Sequence, residues 1–158
     1  MDSTIKNYIE RSQNEMIVAE SLKKLSEDNQ AKKFFQINDV DTFYSSVISH
    51  AYYAIFYATK AILLTKGITT SSPNIHKKTF ENFKKEFVDT GILDVKLLEI
   101  YKKLVIRADS LLEIFKDEKW KRGNFTYNTI PQANKGPAED SIQNAKIFVT
   151  NIIKVIQE

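Results

Sequence analysis

The sequence predicts an all-α protein, an up-and-down bundle of about five helices forming one domain over residues 1–158. Three observations predict it. The stretch from Phe43 to Leu64 has no Gly or Pro, runs for about six helical turns and is apolar around most of its circumference. Apolar residues elsewhere recur at helical spacing, and no segment alternates with period two for long enough to make a strand. Gly and Pro are scarce, four and three in 158 residues, so long elements with few breakers are expected.

The first helix is expected over about 4–28, with Ile5, Tyr8, Ile9, Met16, Ala19, Leu22 and Leu25 near one face and Asp28-Asn29 as its stop. Residues 30–41 either extend it or add a short turn. Asp41 is a suitable N-cap for the central helix, because its carboxylate can accept orphan amide hydrogens. Small residues at 51, 54, 58 and 61 of that helix allow a neighbour to approach closely, and Gly67 can end it with positive φ. Ser72-Pro73 reads as the next start, Ser72 as N-cap and Pro73 at the first helical position. That third helix carries His76, Phe80, Phe83 and Phe87 as a stripe and closes at Thr90-Gly91. The fourth begins near Asp94, keeps its apolar period to Phe115 and extends through a polar, basic stretch to Gly123. Residues 124–136 are rich in breakers and read as a loop. Pro137 starts the fifth helix, whose apolar face runs from Ile142 to Ile156.

Composition narrows the function classes. Twenty-three basic against 20 acidic residues give a formal charge of +3, compatible with an anionic partner without requiring one. The chain has no cysteine, which excludes disulfides and thiolate nucleophiles. The first residues lack the apolar core of a signal peptide, and no uninterrupted apolar run approaches the roughly 18 residues that span a bilayer. A cytoplasmic protein without a membrane role is therefore expected. The two histidines, His50 and His76, lack metal-ligand spacing, so no metal site is expected. Gly-rich phosphate loops and Ser/His/Asp nucleophile patterns are likewise not found.

Several residues carry a functional and a structural reading side by side. His50 suits a hydrogen-bonded core or interface position better than catalysis, and His76 suits core packing or capping. The cluster Tyr52, Tyr53, Phe56 and Tyr57 reads as core or dimer interface before it reads as a stacking platform. The run Lys119-Trp120-Lys121-Arg122 is basic with an interleaved aromatic, which suits RNA, and equally suits a solvated helix end. Arg107 can pair with an acidic neighbour such as Asp109 or Glu113.

Ser49-His50-Ala51-Tyr52-Tyr53-Ala54-Ile55-Phe56-Tyr57-Ala58 resembles the second helix of HEPN domains (higher eukaryotes and prokaryotes nucleotide-binding), where the segment commonly reads Arg-Ala-Tyr-Tyr-Ala. Ala61, Leu63, Leu64 and Gly67 resemble the end of that helix; His76, Phe83, Phe87, Val88 and Gly91 the next; Ala145, Phe148 and Val149 the last. The likeness covers essentially the whole chain. It implies a homodimer, no cofactor, and a site built on an Arg followed four to six residues later by His, or in other members by Tyr. Arg122 and Tyr127 have the Arg-to-Tyr spacing and are the favoured pair; Arg107 competes, with no His or Tyr close behind it. The site implied for RNA or a nucleotide comprises Arg122, Asn124, Tyr127, Lys119, Lys121 and Trp120, with Arg107, His50 and Tyr53 as secondary candidates. The likeness further suggests the toxin-like half of a toxin–antitoxin pair, with a nucleotidyltransferase as partner; the rival is a non-catalytic protein-interaction module.

Members that cleave RNA work without metal, with the 2′-hydroxyl as nucleophile. Such a reaction needs a group that moves protons near neutral pH, which His suits, and a cation for the phosphate, which Arg suits. No His follows either arginine here. A tyrosine with a pKa of about 10 is only about 0.1% ionised at pH 7; making Tyr127 an available base takes about 4 kcal/mol. Hydrogen bonding or stacking against a nucleotide needs no such shift.

Overall fold

The computed structural model describes residues 1–126 and 133–158; Tyr127 lies outside them. Seven α-helices and no strand occur among the described residues: α1 Ser3–Glu27, α2 Asn29–Phe34, α3 Tyr44–Leu64, α4 Ile75–Phe83, α5 Val95–Leu112, α6 Glu118–Asn124 and α7 Lys135–Gln157. The five expected helices are α1, α3, α4, α5 and α7. The short helix α2 realises the separate turn, one of two alternatives for residues 30–41, and α6 is the detached end of the expected fourth helix.

The central helix is α3. Its Ala51, Ala54, Ala58 and Ala61 are fully buried, and α1 and α7 pack along it. Where side chains are this small, Ser12 of α1 comes close enough for its hydroxyl to donate to the Ala54 carbonyl at 2.6 Å. By length and composition α3 could cross a membrane, yet two-thirds of its apolar window is buried inside the bundle, which makes it the core helix. It stops as expected. Gly67 takes φ +71°, the Ile68 amide bonds the Leu63 carbonyl and the Gly67 amide bonds the Leu64 carbonyl, so the orphan carbonyls are satisfied.

Three boundaries differ from expectation. Asp41 does not cap α3: it sits in a turn closed by its own amide to Asn38, and α3 begins after Phe43, whose amide donates to the Ser26 hydroxyl at 2.8 Å. Ser72 and Pro73 do not open α4, because Asn74 adopts left-handed backbone (φ +59°) and helical geometry starts only at Ile75. The fourth predicted helix is not continuous to Gly123. It stops at Leu112, Glu113 turns left-handed at φ +51°, and α6 starts afresh with Asp117 accepting from the Trp120 amide. Two contacts explain that break. The buried Asp109 carboxylate accepts the Phe115 amide at 3.0 Å, and the bend drives the Phe115 ring into the core. The apolar period thus reaches Phe115 through a reversal of the chain.

Elsewhere the expected features hold. Asp94 caps α5 by accepting the Lys96 amide, Phe80, Phe83 and Phe87 are buried, and α4 continues into a π-helical turn over Lys84–Val88. The last helix, α7, begins two residues before Pro137, in whose first turn a missing N–H costs no hydrogen bond.

Candidate functional site

Helix α6 presents the basic run, and the fold gives its members separate tasks. Lys119 and Arg122 are exposed, and Arg122 makes no salt bridge with any described residue. Lys121 points inward, 2.6 Å from the Asp109 carboxylate and 3.2 Å from Glu118, so it fastens α6 to α5. Trp120 is half-buried. Its ring stacks on Phe115 at 5.7 Å and meets Phe80 and Phe125 edge-on, while the Lys77 ammonium lies 5.4 Å from its centroid. Asn124 donates to the Trp120 carbonyl and lines a groove with Phe125 and Thr126.

That groove, about 580 Å³, runs between α5 and α7. Its floor is apolar, from Ile100, Ile106, Phe125 and Ile147; Lys96, Lys102 and Lys103 rim it with the amides of Asn124 and Asn144, beside Glu99, and Lys103 also pairs with Asp140 at 3.1 Å. Positions 96, 99, 100 and 103 follow helical spacing, so a basic face of α5 was readable in principle. An apolar floor under ammonium groups suits a flat ring bearing a phosphate better than a simple anion.

Arg107 does not pair with Asp109 or Glu113. Its guanidinium reaches Asp140 at 2.8 Å, Ser141 at 3.0 Å and the Pro137 carbonyl at 3.3 Å, which ties α5 to the first turn of α7. Asp109 is already engaged by Lys121 and Phe115, and Glu113 has left the helix. Burial alone would raise the Asp140 carboxyl, but Arg107 and Lys103 outweigh it and hold the group below the usual carboxylate range.

The histidines stand elsewhere. His50 Nδ1 pairs with Glu15 of α1. His76 Nδ1 is 2.7 Å from the fully buried Tyr52 hydroxyl, among the rings of Tyr53, Phe56 and Phe115. Desolvation, aided by the Lys60 charge, pushes His76 down to about 4, so the ring is neutral at pH 7. Burial drives the Tyr52 phenol well up, so phenol and imidazole are both neutral where they meet. Tyr53 is partly exposed beside this pair. Neither histidine belongs to the elements that line the α5–α7 groove. No group of three His, Asp or Glu side chains among the described residues is placed to hold a metal ion.

An all-α helical bundle with a basic groove along its fourth and last long helices is the class of protein these features define. Residues 19–155 match the family model of the HEPN domain, and the chain belongs to that family. Two proteins of Methanocaldococcus jannaschii, each named "Putative toxin", are similar to it. One is 38% identical over 81 residues, covering 48% of this chain and 53% of that protein, so the chain spans about half that relative's length. The other is 30% identical over 115 residues, covering 73% and 72%. A UPF0332 protein of Thermotoga maritima is 28% identical over 113 residues, covering 72% and 73%. No solved structure matches the chain.

Proposed function

We propose that this chain is a toxin-like HEPN protein that binds RNA on the surface formed by α5, α6 and the edge of α7, acting in the cytoplasm as a homodimer. The observation that carries this reading is the groove with three lysines around an apolar floor, bordered by the helix that presents Arg122 and Lys119. A base fits the floor, and phosphates fit the rim. The favoured Arg122–Tyr127 pair remains part of the proposal, Arg122 as the phosphate contact and Tyr127 as a hydrogen-bonding or stacking group.

Binding is preferred to cleavage because a 2′-hydroxyl attack needs a proton carrier, and neither histidine lines the groove. The test is RNA binding by fluorescence anisotropy with chelator present. Arg122→Ala and Lys102→Ala are expected to weaken binding and each to flatten the salt dependence by about 0.7 in log–log slope, the value for one phosphate contact on a single strand. Wild-type protein that binds no RNA at low salt sinks the proposal. RNA cleavage that disappears in both Arg122→Ala and Tyr127→Phe shows instead that the surface is a ribonuclease site.

The names of the relatives support a neutralising partner protein, for which the family likeness suggests a nucleotidyltransferase. A second reading, a protein-interaction module, is favoured by one feature. Phe34, Phe35 and Val40 are 81%, 62% and 87% exposed at the tip that follows α2, an apolar surface with no structural use inside the bundle. Phe34→Ser with Phe35→Ser is expected to abolish capture of a neutralising nucleotidyltransferase while leaving RNA binding intact.

A further inference from the structure

A run of rings crosses the bundle and ends at the groove. Tyr8 of α1 faces Tyr57 at 6.3 Å, Tyr57 faces Tyr53 at 6.2 Å, and Tyr53 meets His76 at 6.0 Å. His76 then meets Phe115 at 6.1 Å, and Phe115 underlies Trp120 of α6. Trp120 touches Phe125, which lines the groove. All of these rings except Phe115 and Phe125 keep part of their surface open. Core packing accounts for those two and leaves the open faces of Tyr8, Tyr53, Tyr57 and His76 unexplained.

Cations are interleaved with the rings. The Arg11 guanidinium lies 4.1 Å from the Tyr57 centroid and donates to its hydroxyl at 2.7 Å, and the Lys60 ammonium lies 5.2 Å from the Tyr8 centroid. The carboxylates beside the run are already taken, Glu15 by His50 and Asp117 by Lys77. His76 is half-buried, so part of its ring stays open beside Tyr53. We infer that the face formed by Tyr8, Arg11, Tyr53, Tyr57, Lys60 and His76 is a second contact for single-stranded RNA, which extends the α5–α6 site across α3 and α1. This rests on the RNA-binding reading above and deepens it.

Charge decides between RNA and a second copy of the chain. A dry protein seam over this face would strip Arg11 and Lys60 of water, and Glu15 and Asp117 beside the run are already engaged. A phosphate backbone brings one negative charge per nucleotide, while bases can stack on tyrosine rings and on the Arg11 plane. The strongly exposed apolar side chains that would seal a dimer lie elsewhere, at Phe34, Phe35 and Val40.

The test compares oligouridylates of about four and about twelve nucleotides, lengths that bracket one short site and an extended track. Arg11→Ala and Tyr57→Leu, each checked for native helicity, are expected to weaken the long oligomer about tenfold, the loss of one stacked base. The short oligomer, held by the groove, is expected to bind unchanged. Long-oligomer affinity that stays at the wild-type value in both variants overturns the inference and leaves the groove reading intact. Wild type that binds neither length overturns both. A sedimentation mass that falls from dimer to monomer in the variants, with RNA affinity unchanged, makes this face the seat of a second copy and also overturns it.

Discussion

The attachment of α6 to the bundle can be tested by a double-mutant cycle at Asp109 and Lys121. Their charges are 2.6 Å apart, with side-chain exposures of 4% and 14%. Removing one member of a buried pair leaves the other charge without compensation, which typically costs about 3–5 kcal/mol. For Lys121→Met the low end applies, about 3 kcal/mol, because Asp109 keeps the Phe115 amide as a donor. Asp109→Asn is expected to cost about 2 kcal/mol, since Lys121 keeps Glu118 and the asparagine oxygen can still accept from Phe115. The double variant removes both charges and is expected to lose only about 2 kcal/mol, a coupling of about 3 kcal/mol. For a domain of this size Lys121→Met corresponds to a Tm lower by about 6–12 °C. Urea unfolding supplies the assay, read by circular dichroism for the whole bundle and by fluorescence of the sole tryptophan, Trp120, for α6. Single variants that each lose under about 1 kcal/mol, or a double variant whose loss is their sum, would refute the idea that this pair fastens α6.

Two further outcomes follow from described geometry. Gly67→Ala puts a Cβ into open space at φ +71°, so only the backbone strain counts; about 1 kcal/mol is expected, a Tm lower by about 2–4 °C in a thermal melt. His76 sits at about 4 in the fold against about 6.5 in the unfolded chain, so between those values the unfolded chain binds more protons. The stability associated with neutral His76 is therefore complete above pH 6.5 and is lost as pH falls toward 4. After a discount for partial exposure this is about 2 kcal/mol. His76→Phe should flatten that part of the stability–pH curve, and an unchanged slope would rule the explanation out.

The long helices were legible because their signals are local. The α3 run has no breaker, Gly67 supplies the one residue suited to its φ, and Asp94 precedes its helix by one residue. The missed boundaries depend on contacts that periodicity does not encode. Phe115 keeps the helical phase of α5, and only the forward reach of Asp109 to its amide reveals the bend. The Arg107 partner lies 33 residues downstream, on a helix whose placement against α5 is a tertiary outcome. The groove was missed for the same reason: Asn144 and Ile147 complete it from α7, and α5 alone shows only a mixed lysine–isoleucine face. His76 and Tyr52 were each readable as packing residues, but their mutual hydrogen bond was not.

The position of α3 also bears on how the chain matures. Both α1, at the start of the described chain, and α7, at its end, pack along this one helix, so the core joins segments more than ninety residues apart in sequence. Loop closure over such distances is slow and cannot be completed until the distal partner exists. A ribosome translating this message therefore holds an α1–α3 pair, joined next by α4 and α5, whose α7-facing side stays wet until α7 emerges. For a protein related to toxins, that order delays a finished binding surface until synthesis of the last helix, a window in which a partner or chaperone can engage the exposed flank first.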